Sequence, residues 1–230
     1  MVAVACESVD EAVEGIPDGI SLMVGGFVSA GYPSNLLEAL LRRGTRGITA
    51  MANAVSQDTM LDALCDAGQV NKIVATFAIR ASGSKMSHFE RLYRAGQIEL
   101  EMVPQGTFAE RIRAGGAGIP GFLTPTGVGT PLAEGKDVVE MDGVPYLMER
   151  GLRADVAMLR AYRADRLGNL EYRMAARNFN PLMATAADLV IAEVDEIVEP
   201  GELDPERIGT PALFVDRIVA CPAQRVVWKG

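Results

Sequence analysis

The 230 residues carry 22 Lys and Arg against 30 Asp and Glu, a net charge of −8, with 49% hydrophobic and 23% charged side chains. No basic block is present to neutralise a phosphate backbone, which argues against nucleic acid as a partner, and no apolar run approaches the ~20 residues of a membrane span. Three dispersed cysteines (Cys6, Cys65, Cys221) and one histidine (His88) leave no disulfide framework and no Cys-rich or paired-His metal site, and point to a reducing cytoplasm.

Taken in order, Ser8 with Glu11 three residues on reads as a capping box that opens a short helix. Pro17-Asp18-Gly19 marks a turn, and ISLMV (20–24) has the length of a strand. A glycine-rich loop from Gly25 to Pro33 leads into SNLLEALLRRG. There Leu36, Leu37, Leu40 and Leu41 share one helical face, Ser34 is the candidate cap and Gly44 the stop.

The alternation continues with a strand over 47–53, a helix over 59–67 stopped by Gly68, a strand over 70–79 and a helix over 87–96. In 98–103, Ile98, Leu100 and Met102 alternate with Glu99 and Glu101, a strand with one wet face. This predicts an α/β fold, a mostly parallel sheet with helices on both faces. Residues 114–136, rich in Gly and Pro, read as a long connection without helix or strand periodicity, of the kind that carries function. The later apolar runs complete a single domain over 1–230.

Three blocks stand out chemically, each with an ordinary structural explanation beside it. GGFVSAGYP (25–33) lies at a strand-to-helix turn, where glycines admit positive φ and close ligand approach and a helix N-terminus favours an anion. Its spacing is neither the dinucleotide fingerprint nor a Walker loop, so a tight structural turn and a loop for a phosphate- or thioester-bearing ligand both remain open. In PQGTFAERIRAGGAGIPGF (104–122), Thr107 with Glu110 reads as a capped helix, yet Gln105 sits at a strand end, where α/β sheets gather ligands. In ARNFNP (176–181) the amides satisfy loop backbone groups. Arg80 and Lys85 flank SGS in a basic patch that suits an acidic substrate or plain solvent, and His88 reads as an inert helix-surface residue.

Read together, DGISLMVGGFVSAGYP (18–33), PQGTFAERIRAGGAGIPGFLTPTGVGT (104–130), EGK (134–136), LRADVAMLRAYRADRLGNLEYR (152–173), ARNFNPLMATAA (176–187) and EVDEIVEPGELDPERI (193–208) resemble the alpha-type half of the family I coenzyme A transferases nearly end to end. The closest class is the succinyl-CoA:3-oxoacid and acetate group. The resemblance implies CoA moving between an acyl-CoA, of succinyl-CoA or acetyl-CoA type, and a short carboxylic or 3-oxo acid. A glutamate on the partner beta subunit of such enzymes attacks the thioester and passes through an acyl anhydride to a glutamyl-CoA thioester. The resemblance implies a heterodimer or heterotetramer, CoA thioester as substrate, and no tightly bound cofactor or metal.

By the same resemblance, Gly25, Gly26, Phe27, Val28, Ser29, Ala30 and Gly31 form the CoA-binding loop. Gln105 is the supporting catalytic amide that faces the beta-subunit glutamate, Asn53 belongs to the substrate pocket, and the Gly/Pro segment lies near the cleft. Departures from the family pattern are Val28 where relatives carry Gly, Ala54 for a second asparagine, and ATFAIRASGSKMS (75–87), which brings Arg80 and Lys85 to the pocket wall. A non-catalytic CoA- or nucleotide-binding regulatory module is the competing expectation.

Overall fold

The computed structural model describes residues 2–79 and 86–221. Its first half runs β1 (Val4–Cys6), α1 (Val9–Ala12), β2 (Ser21–Val24), α2 (Ser34–Arg43), β3 (Ile48–Ala54), α3 (Met60–Asp66), β4 (Val70–Phe77), α4 (His88–Arg94), β5 (Glu99–Met102) and α5 (Gln105–Gly116). Next come β6 (Gly121–Thr124), β7 (Val138–Met141), β8 (Val144–Arg150), β9 (Ala154–Arg160), β10 (Arg163–Asp165), β11 (Leu170–Glu171) and α6 (Asn180–Ala184). The chain closes with β12 (Ala187–Val194), β13 (Glu196–Val198), β14 (Ile208–Thr210) and β15 (Arg217–Ala220).

Eight strands form one sheet in the order β1-β15-β12-β9-β2-β3-β4-β5, and each neighbouring pair is parallel. Strand alternation divides its side chains between two cores. Leu22, Val24, Ala50, Ala52, Ile73 and Ala75 pack with α1 to α4, through Ala12, Leu36, Leu40, Leu61, Leu64 and Phe89. The intervening Met23, Met51 and Val74 face the other way, onto Phe108 and Ile112 of α5 and Met183 of α6. The expected doubly covered parallel sheet is therefore present, and its strands are near-continuous apolar runs because both faces are buried.

From β2 the strand order steps outward through β3 to β5, and from β9 it steps the opposite way. The loop after β2 thus leaves the sheet where the strand order reverses, the place at which open α/β sheets form a crevice at their strand C-termini.

Two smaller sheets depart from the sequence reading. The 114–136 connection is partly regular: α5 extends to Gly116, and β6 pairs antiparallel with β8, which also pairs with β7. Its partners lie more than twenty residues downstream, so local periodicity carries no sign of it. The glycines at the end of α5 serve packing, since a Cβ on Gly115 would overlap the Leu152 carbonyl oxygen. Arg111 fastens this sheet to the main one, donating to the Arg150 carbonyl at 2.9 Å and to Glu101 at 2.8 Å. Lys136 of the EGK block meets buried Glu149 at 2.5 Å. The second small sheet runs β13-β10-β11-β14.

Capping is partly as expected. Ser8 accepts from Glu11 N at 3.1 Å, and Gly44 ends α2 at φ +79°. Ser34, however, is the first residue of α2 and does not cap it. Thr107 lies buried inside α5, which begins at Gln105 with Pro104 at its N-cap position. Among the described residues no helix is long and apolar enough to cross a membrane.

Candidate active site

The loop after β2 is a small hairpin. Phe27 and Ala30 exchange backbone hydrogen bonds of 3.0 Å in both directions, which leaves Val28 and Ser29 at the tip. Gly26 (φ +102°) and Gly31 (φ +67°) make the reversals. Val28 is held at φ +55°, a conformation that crowds a β-branched side chain and that glycine adopts freely.

Two asparagines of the ARNFNP block hold the hairpin from below. Asn180, fully buried, donates to the carbonyls of Gly31 and Ala176, each at 3.0 Å, and accepts from Arg160 N at 3.1 Å. Asn178 donates to the Ala30 carbonyl at 2.9 Å. A Cβ on Gly25 would overlap Asn180 Oδ1, so that glycine is required by the close approach of this clamp. The reading of these amides as partners for backbone groups holds, and the backbone they serve is the glycine loop. Tyr32 ties the far end down, its hydroxyl accepting from Leu61 N at 2.9 Å at the start of α3.

The anion expected at the α2 N-terminus is supplied by the protein itself. Glu193, near the end of β12, is 1% exposed; it accepts from Leu36 N at 2.9 Å, Asn35 Nδ2 at 3.1 Å and Arg160 Nη1 at 2.9 Å. Burial pushes its carboxyl above the usual range despite the opposing pull of Arg160. Arg160 also pairs with Asp195. A cavity of about 190 Å³ opens beside Gly31, bounded by Tyr32, Asn35, Arg160, Tyr162, Arg173 and Asp195. The guanidinium of Arg173 lies 5.4 Å from the centre of the Tyr162 ring.

Gln105 and Asn53, separated by 52 residues, meet directly. Gln105 Nε2 donates to Asn53 Oδ1 at 3.2 Å. Asn53 lies one residue before the end of β3 on the α5 face of the sheet, buried to 1% exposure, and Gln105 opens α5 after β5, half-buried. Phe108 of α5 packs on Phe179 beside the asparagine clamp, with ring centroids 5.6 Å apart, so the helix bearing Gln105 leans on the segment that holds the glycine loop. Thr76, opposite Asn53 on β4 by the pairing of the flanking residues, also belongs to this corner. The side-chain atoms Asn53 Nδ2 and Thr76 Oγ1 are both buried with no hydrogen-bond partner among the described residues.

Arg80 and Lys85 lie outside the described residues. His88 has acidic partners that the sequence did not reveal: its Nδ1 stands 3.1 Å from Asp62, which also accepts from His88 N and Phe89 N at the start of α4. Its role is structural. Sequence reasoning missed Glu193, Arg160 and Thr76. A carboxylate inside the apolar run LVIAEV and an arginine closing ADVAMLR were the available signals, since buried charges occur in pairs. Around the same edge the large apolar side chains Phe27, Val28, Phe77, Ile79, Met86 and Met102 are all exposed, at 38–56%.

The coenzyme A transferase family model matches residues 6–221. This chain belongs to the coenzyme A transferase family. It is 54% identical over 215 residues to the A-type chain of the 3-oxoadipate CoA-transferase of Pseudomonas putida, covering 93% of this chain and 92% of that one. With the alpha chain of the acetate CoA-transferase of Escherichia coli (strain K12) it shares 49% over 203 residues, 88% and 90% of the two chains. Among solved structures, the acyl-CoA transferase of E. coli O157:H7 in a thioester complex with CoA superposes with a TM-score of 0.84 at 21% identity, over 99% of this chain and 49% of that one. That likeness establishes the fold, and the curated relatives identify the chain as an alpha-type transferase subunit.

Proposed function

We propose that this alpha-type chain forms one wall of a composite cleft and that a beta subunit supplies the nucleophilic glutamate, in a heterodimer or heterotetramer. The observation that carries the reading is the Gln105–Asn53 contact at the strand C-termini, set in a rim of exposed apolar side chains. Exposed apolar groups gathered at one edge mark a surface for another protein. Among the described residues no serine or cysteine side chain bonds His88 and the cysteines are buried, so these residues offer no Ser–His or Cys–His pair.

In the reaction, a glutamate carboxylate oxygen from the beta chain attacks the acyl-CoA carbonyl and CoA leaves as thiolate. The thiolate then attacks the resulting anhydride at the glutamyl carbonyl, releasing the free acid and leaving a glutamyl-CoA thioester. The acceptor acid runs the sequence in reverse. Gln105 donates a hydrogen bond to the oxyanion formed in each attack, and the Gly25–Gly31 hairpin receives part of the CoA chain, with backbone approachable at its glycines. CoA thioester is substrate and product, and the chemistry requires no tightly bound cofactor. The free, buried cysteines suit a reducing cytoplasm.

The test is CoA exchange from succinyl-CoA and acetyl-CoA to a panel of acids that begins with 3-oxoadipate and acetate, the acids named for the relatives above. The chain alone should be inactive. The chain co-purified with its beta subunit should turn over and accumulate a glutamyl-CoA adduct on the beta chain. Full turnover by the isolated chain refutes the composite cleft.

A further inference from the structure

The segment from Gly25 to Leu36 is tied down along nearly its whole length. Gly25 N donates to the Met158 carbonyl at 2.9 Å, and the Ala30 and Gly31 carbonyls accept from Asn178 and Asn180. Tyr32 is fastened to Leu61 N, and Leu36 N to Glu193. Beyond these anchors lies the tip, where Val28 is held at φ +55°. A conformation that a β-branched residue avoids persists only where its surroundings over-determine it, and such places gather at ligand sites.

Asn180 is central to the set, fully buried with its oxygen and both amide hydrogens in use. Oδ1 accepts from Arg160 N, and Nδ2 donates to the carbonyls of Gly31 and Ala176. These partners admit one orientation of the amide. Exchanging its oxygen and nitrogen would set oxygen against two carbonyl oxygens and nitrogen against a donor N–H. The contact is steric as well as polar: a Cβ on Gly31 would stand 2.6 Å from Asn180 Nδ2, and one on Gly25 1.9 Å from Oδ1. The amide therefore touches both ends of the hairpin, and both are glycine. Through Arg160, whose guanidinium pairs with Glu193, it is also linked to the start of α2, into which the hairpin leads.

We propose that Asn180 is a positioning residue for CoA: it holds the hairpin in its receiving shape before any ligand arrives, and so sets the affinity for the CoA thioester while leaving the chemical steps untouched. The proposal rests on the reading of the Gly25–Gly31 hairpin as the receiver of the CoA chain. A loop already in its bound shape has little ordering entropy left to lose on binding. When the competent shape falls to about a tenth of the population, apparent affinity falls about tenfold. The acceptor acid meets an enzyme that already carries CoA covalently, so its KM does not register the loss.

In the assembly with the beta subunit, Asn180→Ala raises KM for the acyl-CoA about tenfold, with kcat and KM for the acid within about twofold of the parent. Asn178→Ala removes the tie to Ala30 from a half-buried position and moves KM for the acyl-CoA the same way, by about threefold. A merely structural defect thins the active population, which lowers kcat and leaves KM in place. That pattern, or an unchanged KM for the acyl-CoA, overturns the proposal.

Hydrogen–deuterium exchange on the unsubstituted assembly decides the matter whether or not either variant folds. The Phe27 and Ala30 amides, each bonded to the other's carbonyl, exchange slowly before CoA is added. Fast exchange there that CoA then suppresses means that the ligand shapes the hairpin, and overturns the proposal. On addition of CoA, exchange slows at the tip residues Val28 and Ser29. No change at the tip removes the hairpin's part in receiving CoA, and the proposal with it. That failure is distinguishable, because Phe27 and Ala30 report on the clamp without ligand.

Discussion

At the N-terminal edge of the parallel sheet, Ser21 and Asp155 on neighbouring strands close on one another. Asp155 accepts from Ser21 N and Oγ, each at 2.7 Å, and Ser21 Oγ accepts from Asp155 N at 2.9 Å. Nearby, Asp18 accepts from Arg46 N at 2.8 Å, and Arg217 donates to the carbonyls of Ala12 and Glu14. At the C-terminal edge, by contrast, Val28 is held in a crowded backbone conformation, two polar atoms are buried without partners, a buried carboxylate serves as a helix cap, and apolar side chains stand in the open. One edge is finished for stability; the other gathers strained, unpartnered and exposed groups. Local rules of stability are broken where function takes precedence, and here the breaches gather at one edge.

The dependence of the C-terminal edge on its own ion cluster is probed most severely at Glu193. Glu193→Ala leaves the Arg160 guanidinium and the Leu36 N–H short of an acceptor in a buried place, and should cost about 3 kcal/mol. Denaturant unfolding should register this as a lower midpoint. A stability unchanged from the parent would mean that this edge stands without its internal ion cluster.

A smaller effect is expected at the opposite edge. Hydrogen bonds from the Ser21 backbone and then its hydroxyl hold the Asp155 carboxyl below the ordinary aspartate range. A folded pKa depressed in this way contributes stability that is present above the unfolded value and is lost as pH falls through the folded one. Asp155→Ala should therefore cost about 1 kcal/mol at neutral pH, discounted for its exposed position, with the difference from the parent shrinking as the solution is acidified below about pH 4. Transferase activity should be unaffected. A large loss of activity would show that the two edges are not separable.

The smallest change concerns the hairpin tip. Val28→Gly relieves the crowding at φ +55° but adds freedom to the unfolded chain, so the net gain should be about 0.5 kcal/mol, within reach of careful thermal melts. A marked loss of stability would mean that the valine side chain has a packing role outweighing its backbone strain.

Much of the fold was legible because its first hundred residues are built from local signals. The leucine stripe of α2 with Gly44 behind it and the helices expected over 59–67 and 87–96 all appear, the latter two capped by Thr59 and Ser87. The site was legible in part through separate blocks: Gln105 and Asn53 were singled out on different grounds, and the structure joins them. The cap of α2 was not legible, because its carboxylate comes from Glu193, 157 residues beyond Leu36. Nor was β6, whose partner strand β8 closes a connection that looked structureless.

By itself, the order of residues determined the strands and helices of the first hundred positions and a parallel sheet covered on both sides, and its motifs carried the resemblance to an alpha-type transferase chain. These follow from periodicity, turn residues and motifs, which act over a few positions. Only the tertiary structure decided which amide supports which loop, which carboxylate caps which helix, and that Thr76 stands beside Asn53 under Gln105. Those relations depend on how distant strands come into register, and their energies arise only after the sheet has closed and water has been expelled from its edge.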